Sequence, residues 1–189
     1  CYTLGTASFL LLGEHCTRQC RFCNVEHATP FPPDQTEAAR LAQTIADMNL
    51  KYAVITSVTR DDLTDGGASH FVACVNAIRA ATPDVKVEIL TPDFRHCRTN
   101  ALPHLLSIDI DIFNHNIETV PRLYPAVRPG ADYSESLSLL EKIATERPEI
   151  PTKSGIMVGI GETDDEIRDV MRHLREHGCK MLTIGQYLA

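Results

Sequence analysis

Cys16, Cys20 and Cys23 fall within the eight residues of CTRQCRFC. Thiols this close are reactive, bridged or metal ligands. A free cysteine titrates at about 8.5, so ligation or a nearby cation must favour the thiolate, and Arg18 and Arg21 are interleaved with the three. C-x3-C-x2-C lets one loop offer three thiolates to one centre. A structural zinc site would recruit His27 to complete C-x3-C-x2-C-x3-H. A redox or disulfide pair would use Cys20 and Cys23 and leave Cys16 unexplained. A cubane iron–sulfur cluster would take three thiolates and keep one iron open. An open coordination position marks a catalytic metal, because substrate must reach it.

The rest of the chain shows what holds that loop. Strand-like and helix-like patterns alternate at a period of roughly thirty residues. Strands are predicted at Thr6 to Glu14, Tyr52 to Ser57, Val85 to Leu90, Asp111 to Glu118, Thr152 to Gly159 and Met181 to Leu188. The helix from about Thr36 carries Ala38, Leu41, Ala42, Ile45 and Met48 on one face, with Asp34 and Glu37 at capping-box spacing. Phe71, Cys74, Val75 and Ile78 make the stripe of the next helix. A short helix follows near Ala101 to Leu106, and another spans Ser134 to Thr145. The last has a Thr163–Glu166 capping box, an apolar stripe of Ile167, Val170, Met171 and Leu174, and Gly178 at its C′ position. Six βα units in series imply parallel strands joined by right-handed crossovers, as a doubly wound sheet or a barrel. The unusual polar residues cluster after the strands: CTRQCRFC, TSVTRDD, TPDFRHCR, NHNIE, GIGET and GQYL. Ligands bind at that edge in such folds.

Bulk properties exclude several classes. The 189 residues fit one domain, residues 1–189. The longest apolar run, Phe9 to Leu12, is too short to cross a bilayer. No secretory signal is visible, and seven cysteines, an odd number, argue for a reducing compartment. A net charge of −7 argues against a nucleic-acid partner.

C-x3-C-x-aromatic-C, here Cys16, Cys20, Phe22 and Cys23, after the first strand of a six-unit βα layout resembles the signature of the radical S-adenosylmethionine superfamily. GTASFLLLGEHCTRQCRFCNV, VITSVTRDDLTDGGASHF, FNHNIETVPRLYPAVRPGADY, PTKSGIMVGIGET and LTIGQYL are similar to the lipoyl synthase family within it. The resemblance implies an α/β partial TIM-type barrel of six βα units with parallel strands. It implies a sulfurtransferase that inserts sulfur at C6 and C8 of a protein-bound octanoyl-lysine. The implied cofactors are S-adenosylmethionine, a radical-generating 4Fe–4S cluster and a second, auxiliary 4Fe–4S cluster. The implied partners are an octanoylated lipoyl-carrier domain or H protein and a ferredoxin- or flavodoxin-type donor. The implied compartment is the cytoplasm, or the mitochondrial matrix in a eukaryote.

Residue by residue, the resemblance puts Cys16, Cys20 and Cys23 on the first cluster and Phe22 beside it, near the adenine. Thr56 and Ser57 stand where the methionine amino group is received. Asn114, Asn116 and Glu118, alternating on the fourth strand, would hold ribose or the methionyl end. Gly155, Met157, Gly159 and Glu162 resemble a G-x-I-x-G-x-x-E adenine signature, and Gln186 borders the same cavity. Cys1 stands at the third position of the family's auxiliary-cluster motif. The first two cysteines of that motif and the family's C-terminal iron-ligating serine are not in this sequence. The expectation is therefore a central piece that holds one cluster and cleaves the cofactor without completing sulfur insertion; eight irons per chain would contradict it.

The remaining candidates have plainer readings. Cys74 and Cys179 read as structural, Cys97 as a bystander at the mouth, His15 as an exposed loop residue, and His115 as facing the helical layer. Asp61 and Asp62 read as loop caps or partner contacts rather than an acid–base pair, and Asp65 to Gly67 as a turn. Of Arg18, Arg21, Arg60, Arg95, Arg98, Arg122 and Arg128, one or two would pair with the cofactor carboxylate, and Arg128 is counted among the cofactor-binding residues while also serving as the test of steering. Others would steer an acidic carrier domain. Two alternatives remain: a biotin-synthase-like radical enzyme acting on a small substrate, and a zinc-stabilised binding module without catalysis.

Overall fold

The computed structural model describes residues 5–188, so the expected auxiliary ligand Cys1 lies outside the described residues. In chain order the elements are β1 (Thr6–Leu11), the two-residue β2 (His15–Cys16) and β3 (Glu26–His27), α1 (Glu37–Asp47), β4 (Tyr52–Ser57) and α2 (Ala68–Ala81). There follow β5 (Lys86–Leu90), α3 (Arg98–Ser107), β6 (Ile112–Asn114), α4 (Tyr124–Val127), α5 (Tyr133–Glu146), β7 (Thr152–Val158), α6 (Asp164–Glu176) and β8 (Met181–Gln186). Six strands pair in the order β1-β4-β5-β6-β7-β8, every pair parallel. A doubly wound sheet reverses its strand order at a switch point. Here each strand is laid beside its predecessor without reversal, so same-handed crossovers stack the helices on one face. The architecture is an α/β partial TIM-type barrel of six βα units.

Strand alternation divides the side chains between the two faces. Ala53, Ile55, Val87, Ile89 and Phe113 point outward and are 0% exposed. Phe71, Cys74, Val75 and Ile78 of α2 belong to the same core and are also 0% exposed, as their 3.6-residue spacing predicts. The inner face is different. TIM barrel interiors are filled by bulky branched residues, yet here Tyr52, Glu88, Asn114 and Lys153 meet. The Glu88 carboxylate, 1% exposed, accepts from Tyr52 Oη (2.5 Å), Asn114 Nδ2 (2.7 Å) and Lys153 Nζ (3.0 Å to each oxygen). Burial and this carboxylate push the Tyr52 phenol up.

Three local expectations need correction. The fourth strand stops at Asn114 instead of running to Glu118, whose φ of +70° turns the chain. Asp34 and Glu37 make no capping box. The Asp34 carboxylate accepts from the Thr36 N–H (2.8 Å), while Glu37 turns inward to the Leu12 N–H (3.1 Å) and His70 Nε2 (2.6 Å). Met171, placed in the apolar stripe of α6, is 38% exposed, while Val170 and Leu174 carry the buried face. The Thr163–Glu166 box forms as expected, and Gly178 takes a φ of +78° just past α6.

Candidate functional site

The loop after β1 folds back over the C-terminal edge of the sheet. It is pinned there by the parallel pairing of β2 with β3 and by Arg21 N–H donating to the Val127 carbonyl (3.0 Å). Between this loop and the ends of β4, β5 and β6 lies a cavity of about 240 Å³. Cys16, Cys20 and Cys23 all line it, and so do Phe22, Thr56, Ser57, Asn116, Glu118 and Arg128. Nine of the residues singled out from the sequence thus border one cavity. Leu10, Val25, Val58 and Leu90 supply apolar wall.

The thiols surround space instead of closing on a point. Among the described residues no three His, Cys, Asp or Glu side chains converge on a single ion. His27 is no cavity wall: its Nδ1 lies 3.2 Å from the Cys16 carbonyl oxygen. His27 is therefore not placed to complete a zinc tetrahedron with the three thiols. Burial pushes the Cys20 thiol up; Arg128 opposes this, and Cys16 and Cys23 add to it. Three free thiols in one wall are thus a soft donor set that a bound cluster would turn to thiolates.

The cavity also holds unspent hydrogen-bonding capacity. Ser57 Oγ, Thr91 Oγ1, His115 Nε2 and Arg128 Nε are buried without a partner, and all four residues are cavity walls. Buried polar groups are ordinarily paired, so a concentration of orphans at one cavity fits a polar ligand. Arg128 is 8% exposed, too deep for a steering charge on the surface. Its Nη1 donates to the carbonyls of Asn116 (3.1 Å) and Ile117 (3.2 Å) and to Tyr124 Oη (3.0 Å), leaving Nε free for an anionic group. Burial pushes the Glu118 carboxyl up against the opposing pull of Arg128 and Asn116.

Thr91 and His115 are the members that sequence reasoning missed. The strand ends before His115, so the alternation that would have turned it toward the helices does not reach it. The Thr91 carbonyl lies 2.9 Å from His115 Nδ1, and the ring is 1% exposed. Burial, then the Arg128 charge, pull this histidine down to about 4. An unfolded histidine titrates at about 6.5. The neutral ring therefore contributes stability above about pH 6.5 that is lost as pH falls toward 4, about 3 kcal/mol in all. Urea unfolding from pH 7 to 4 should show this loss, and His115→Gln should remove that part of the slope.

Five expected cofactor residues, Asn114, Gly155, Met157, Gly159 and Gln186, are not among this cavity's walls. Asn114 donates its amide N–H to Glu88, keeps its buried carbonyl oxygen unpartnered and is not a cavity wall. A Cβ on Gly155 would stand 2.7 Å from Asn116 Oδ1, so this glycine makes room for Asn116, not directly for a flat base. Gly159 (φ +96°) likewise makes room for Gln186, whose Nε2 donates to the Val158 and Tyr187 carbonyls (both 3.1 Å). Met157 sits with them near the β7–β8 rim, outside the cavity walls. Glu162 bonds the N–H groups of Gly159 and Ile160, which closes the loop before α6.

Several arginines are similarly spoken for. Arg60 grips Asp62, Arg98 grips Glu135 and Arg122 grips Glu166, leaving Arg21, Arg95 and the buried Arg128 without an ion-pair partner among the described residues. Cys74 and Cys97 are buried in the core and Cys179 packs against it, donating to the Met181 carbonyl. No helix among the described residues is long and apolar enough to cross a membrane.

Comparison with known proteins places this geometry in context. Residues 10–174 match the family model described as the Radical SAM superfamily. A lipoyl synthase of Thiobacillus denitrificans is 60% identical over 188 residues, which cover 100% of this chain and 60% of that protein. A lipoyl synthase of Klebsiella pneumoniae is also 60% identical, with 100% of this chain and 59% of that protein covered. The chain thus spans about three-fifths of the length of the curated relatives it matches. Among solved structures, the hydrogenase maturase HydG from Carboxydothermus hydrogenoformans aligns with TM-score 0.78 and 16% identity, over 97% of this chain and 44% of that one. Streptococcus suis SuiB bound to S-adenosylmethionine aligns with TM-score 0.75 and 11% identity, over 98% and 41%. At such identities the structures show the shared fold.

Proposed function

The chain belongs to the radical SAM superfamily, and from that premise we propose that it forms the cofactor-binding core of a lipoyl synthase. That enzyme inserts sulfur at C6 and C8 of an octanoyl chain borne on a protein lysine. The observation that carries this reading is the meeting of three thiols from one loop on a single cavity at the C-terminal edge of the sheet. Identity of 60% to curated lipoyl synthases supports the choice within the superfamily.

Cys16, Cys20 and Cys23 are the residues that would hold a 4Fe–4S cluster. When bound, the cluster and S-adenosylmethionine supply one-electron chemistry able to take hydrogen from an unactivated carbon. The remaining tasks fall to this chain. Ser57 and Thr56, at the end of β4, offer hydroxyls to the cofactor's amino group. Arg128 Nε offers a donor to its carboxylate, and Asn116 and Glu118 offer acceptors to its ribose. Phe22 and the apolar wall of Leu10, Val25 and Leu90 exclude water and suit an alkyl chain. Gly159, Met157 and Gln186, at the β7–β8 rim, are the proposed edge for the adenine.

The finer partners belong to the same reading. They are an octanoylated carrier domain, a small electron-transfer protein and an auxiliary cluster to which this chain would contribute Cys1. The six described cysteines are all free, which supports a reducing compartment.

The test is isotopic. The reconstituted protein is reduced with S-adenosylmethionine and a peptide carrying octanoyl-lysine deuterated at C6 and C8. Deuterium should appear in the 5′-deoxyadenosine formed, and free deuterated octanoate should give none. Transfer from small free acids with none from the peptide would favour the biotin-synthase-like alternative.

A further inference from the structure

The cluster loop is not held evenly, and the asymmetry centres on Arg18. This side chain, 9% exposed, commits its guanidinium fork to two carboxylates. Nε and Nη2 grip both oxygens of Asp61 (2.7 and 2.8 Å), and Nη1 bonds Asp93 Oδ2 (2.6 Å), whose carboxylate is 1% exposed. One residue between the cysteines is thereby fixed to the loops after both β4 and β5. Thr17 repeats the attachment: its hydroxyl donates to the Thr59 carbonyl (2.9 Å) and accepts from the Asp61 N–H (3.1 Å). With the loop so placed, Cys16 Sγ accepts two backbone N–H groups, from Thr59 (3.3 Å) and Arg18 (3.4 Å).

Cys20 and Cys23 have no such anchorage of their sulfurs among the described residues. Their turn is tied by Cys23 N–H to the Cys20 carbonyl and by Arg21 N–H to Val127. We propose that Arg18 is a positioning residue: its fork on Asp61 and Asp93 presets the Cys16 arm of the loop and holds two N–H donors on that sulfur before any cluster is present. This rests on reading the loop as a cluster site. The fork matters as well as the charge, because a lysine in its place offers one compact ammonium and cannot span two carboxylates in fixed geometry. Hydrogen bonds to a ligating sulfur stabilise the more negative, reduced cluster, so losing them lowers the reduction potential.

The test has a part that needs no cluster. In the apoprotein, amide exchange at residues 16–19 should be slower than at 20–23, and Arg18→Gln should speed the first group roughly tenfold while leaving the second alone. After anaerobic reconstitution, Arg18→Gln should lower iron retention against a chelator by roughly 10- to 100-fold and shift the midpoint potential downward. Arg18→Lys should recover only part of either loss. Arg60→Gln serves as control, since Arg60 is a still more deeply buried arginine that grips Asp62 and the Leu12 carbonyl instead of Asp61 and Asp93; it should leave the potential unchanged. If Arg18→Gln does not fold, Asp61→Asn removes the bidentate half of the fork and should shift the potential in the same direction. Unaltered exchange and potential in the Arg18 or Asp61 variant, or full recovery by lysine, would overturn the proposal. A wild-type protein that takes up no iron–sulfur cluster would instead overturn the cluster reading, with the apoprotein exchange still reporting on the clamp.

Discussion

Lys153→Met should destabilise the fold by about 3 kcal/mol, and Glu88→Gln by distinctly less. The asymmetry follows from where the two charges lie. The Glu88 side chain is 2% exposed and the Lys153 side chain 26%. Removing the lysine strands a carboxylate inside the half-barrel, with only Tyr52 and Asn114 left to solvate it. Removing the carboxylate charge leaves an ammonium that can still reach water. A buried ion pair is costly to break because the surviving charge pays its desolvation alone. Chemical denaturation of the two single variants measures the difference. Equal losses, or a larger loss for Glu88→Gln, would show that Lys153 does not serve to neutralise Glu88.

The second large effect is on the site and should leave the fold untouched. Cys23→Ala should abolish cluster incorporation, seen as loss of iron and of the brown colour after reconstitution, with an unchanged melting profile of the apoprotein. Cys23 is exposed and its sulfur makes no hydrogen bond among the described residues, so truncation removes no packing. Two thiolates cannot hold three corners of a cubane. Cys97→Ala is the internal contrast: Cys97 is 9% exposed, in the core under Gly66, so its loss should lower stability and leave the iron content alone. Iron retained by the Cys23 variant would move the cluster away from this loop.

Much of this arrangement was legible in the residues because it depends on short-range pattern. β4 begins and ends where the branched run YAVITS does. The α2 stripe and the Thr163 cap need only neighbours three or four residues away. The cysteine spacing and the crowding of polar residues after strands point to the sheet edge at which the cavity lies. What was not legible depends on partners distant in sequence. Nothing near Asn114 announces Glu88, 26 residues earlier, which captures its amide N–H. Asp61 and Asp93 lie 43 and 75 residues from Arg18, so its neutralised fork looked like a free mouth cation. His115 was turned the wrong way because period-two alternation was carried past the point where the strand ends. A glycine's spacing does not tell ligand from side chain: Gly155 and Gly159 accommodate Asn116 and Gln186.

The central claim is that Cys16, Cys20 and Cys23 hold a cluster with one iron left for S-adenosylmethionine. The most direct measurement is electron paramagnetic resonance of the anaerobically reconstituted, dithionite-reduced protein before and after that cofactor is added. The account predicts the signal of a reduced 4Fe–4S cluster whose shape changes when S-adenosylmethionine binds its open iron. A spectrum indifferent to the cofactor, or a colourless protein carrying one zinc, would contradict it.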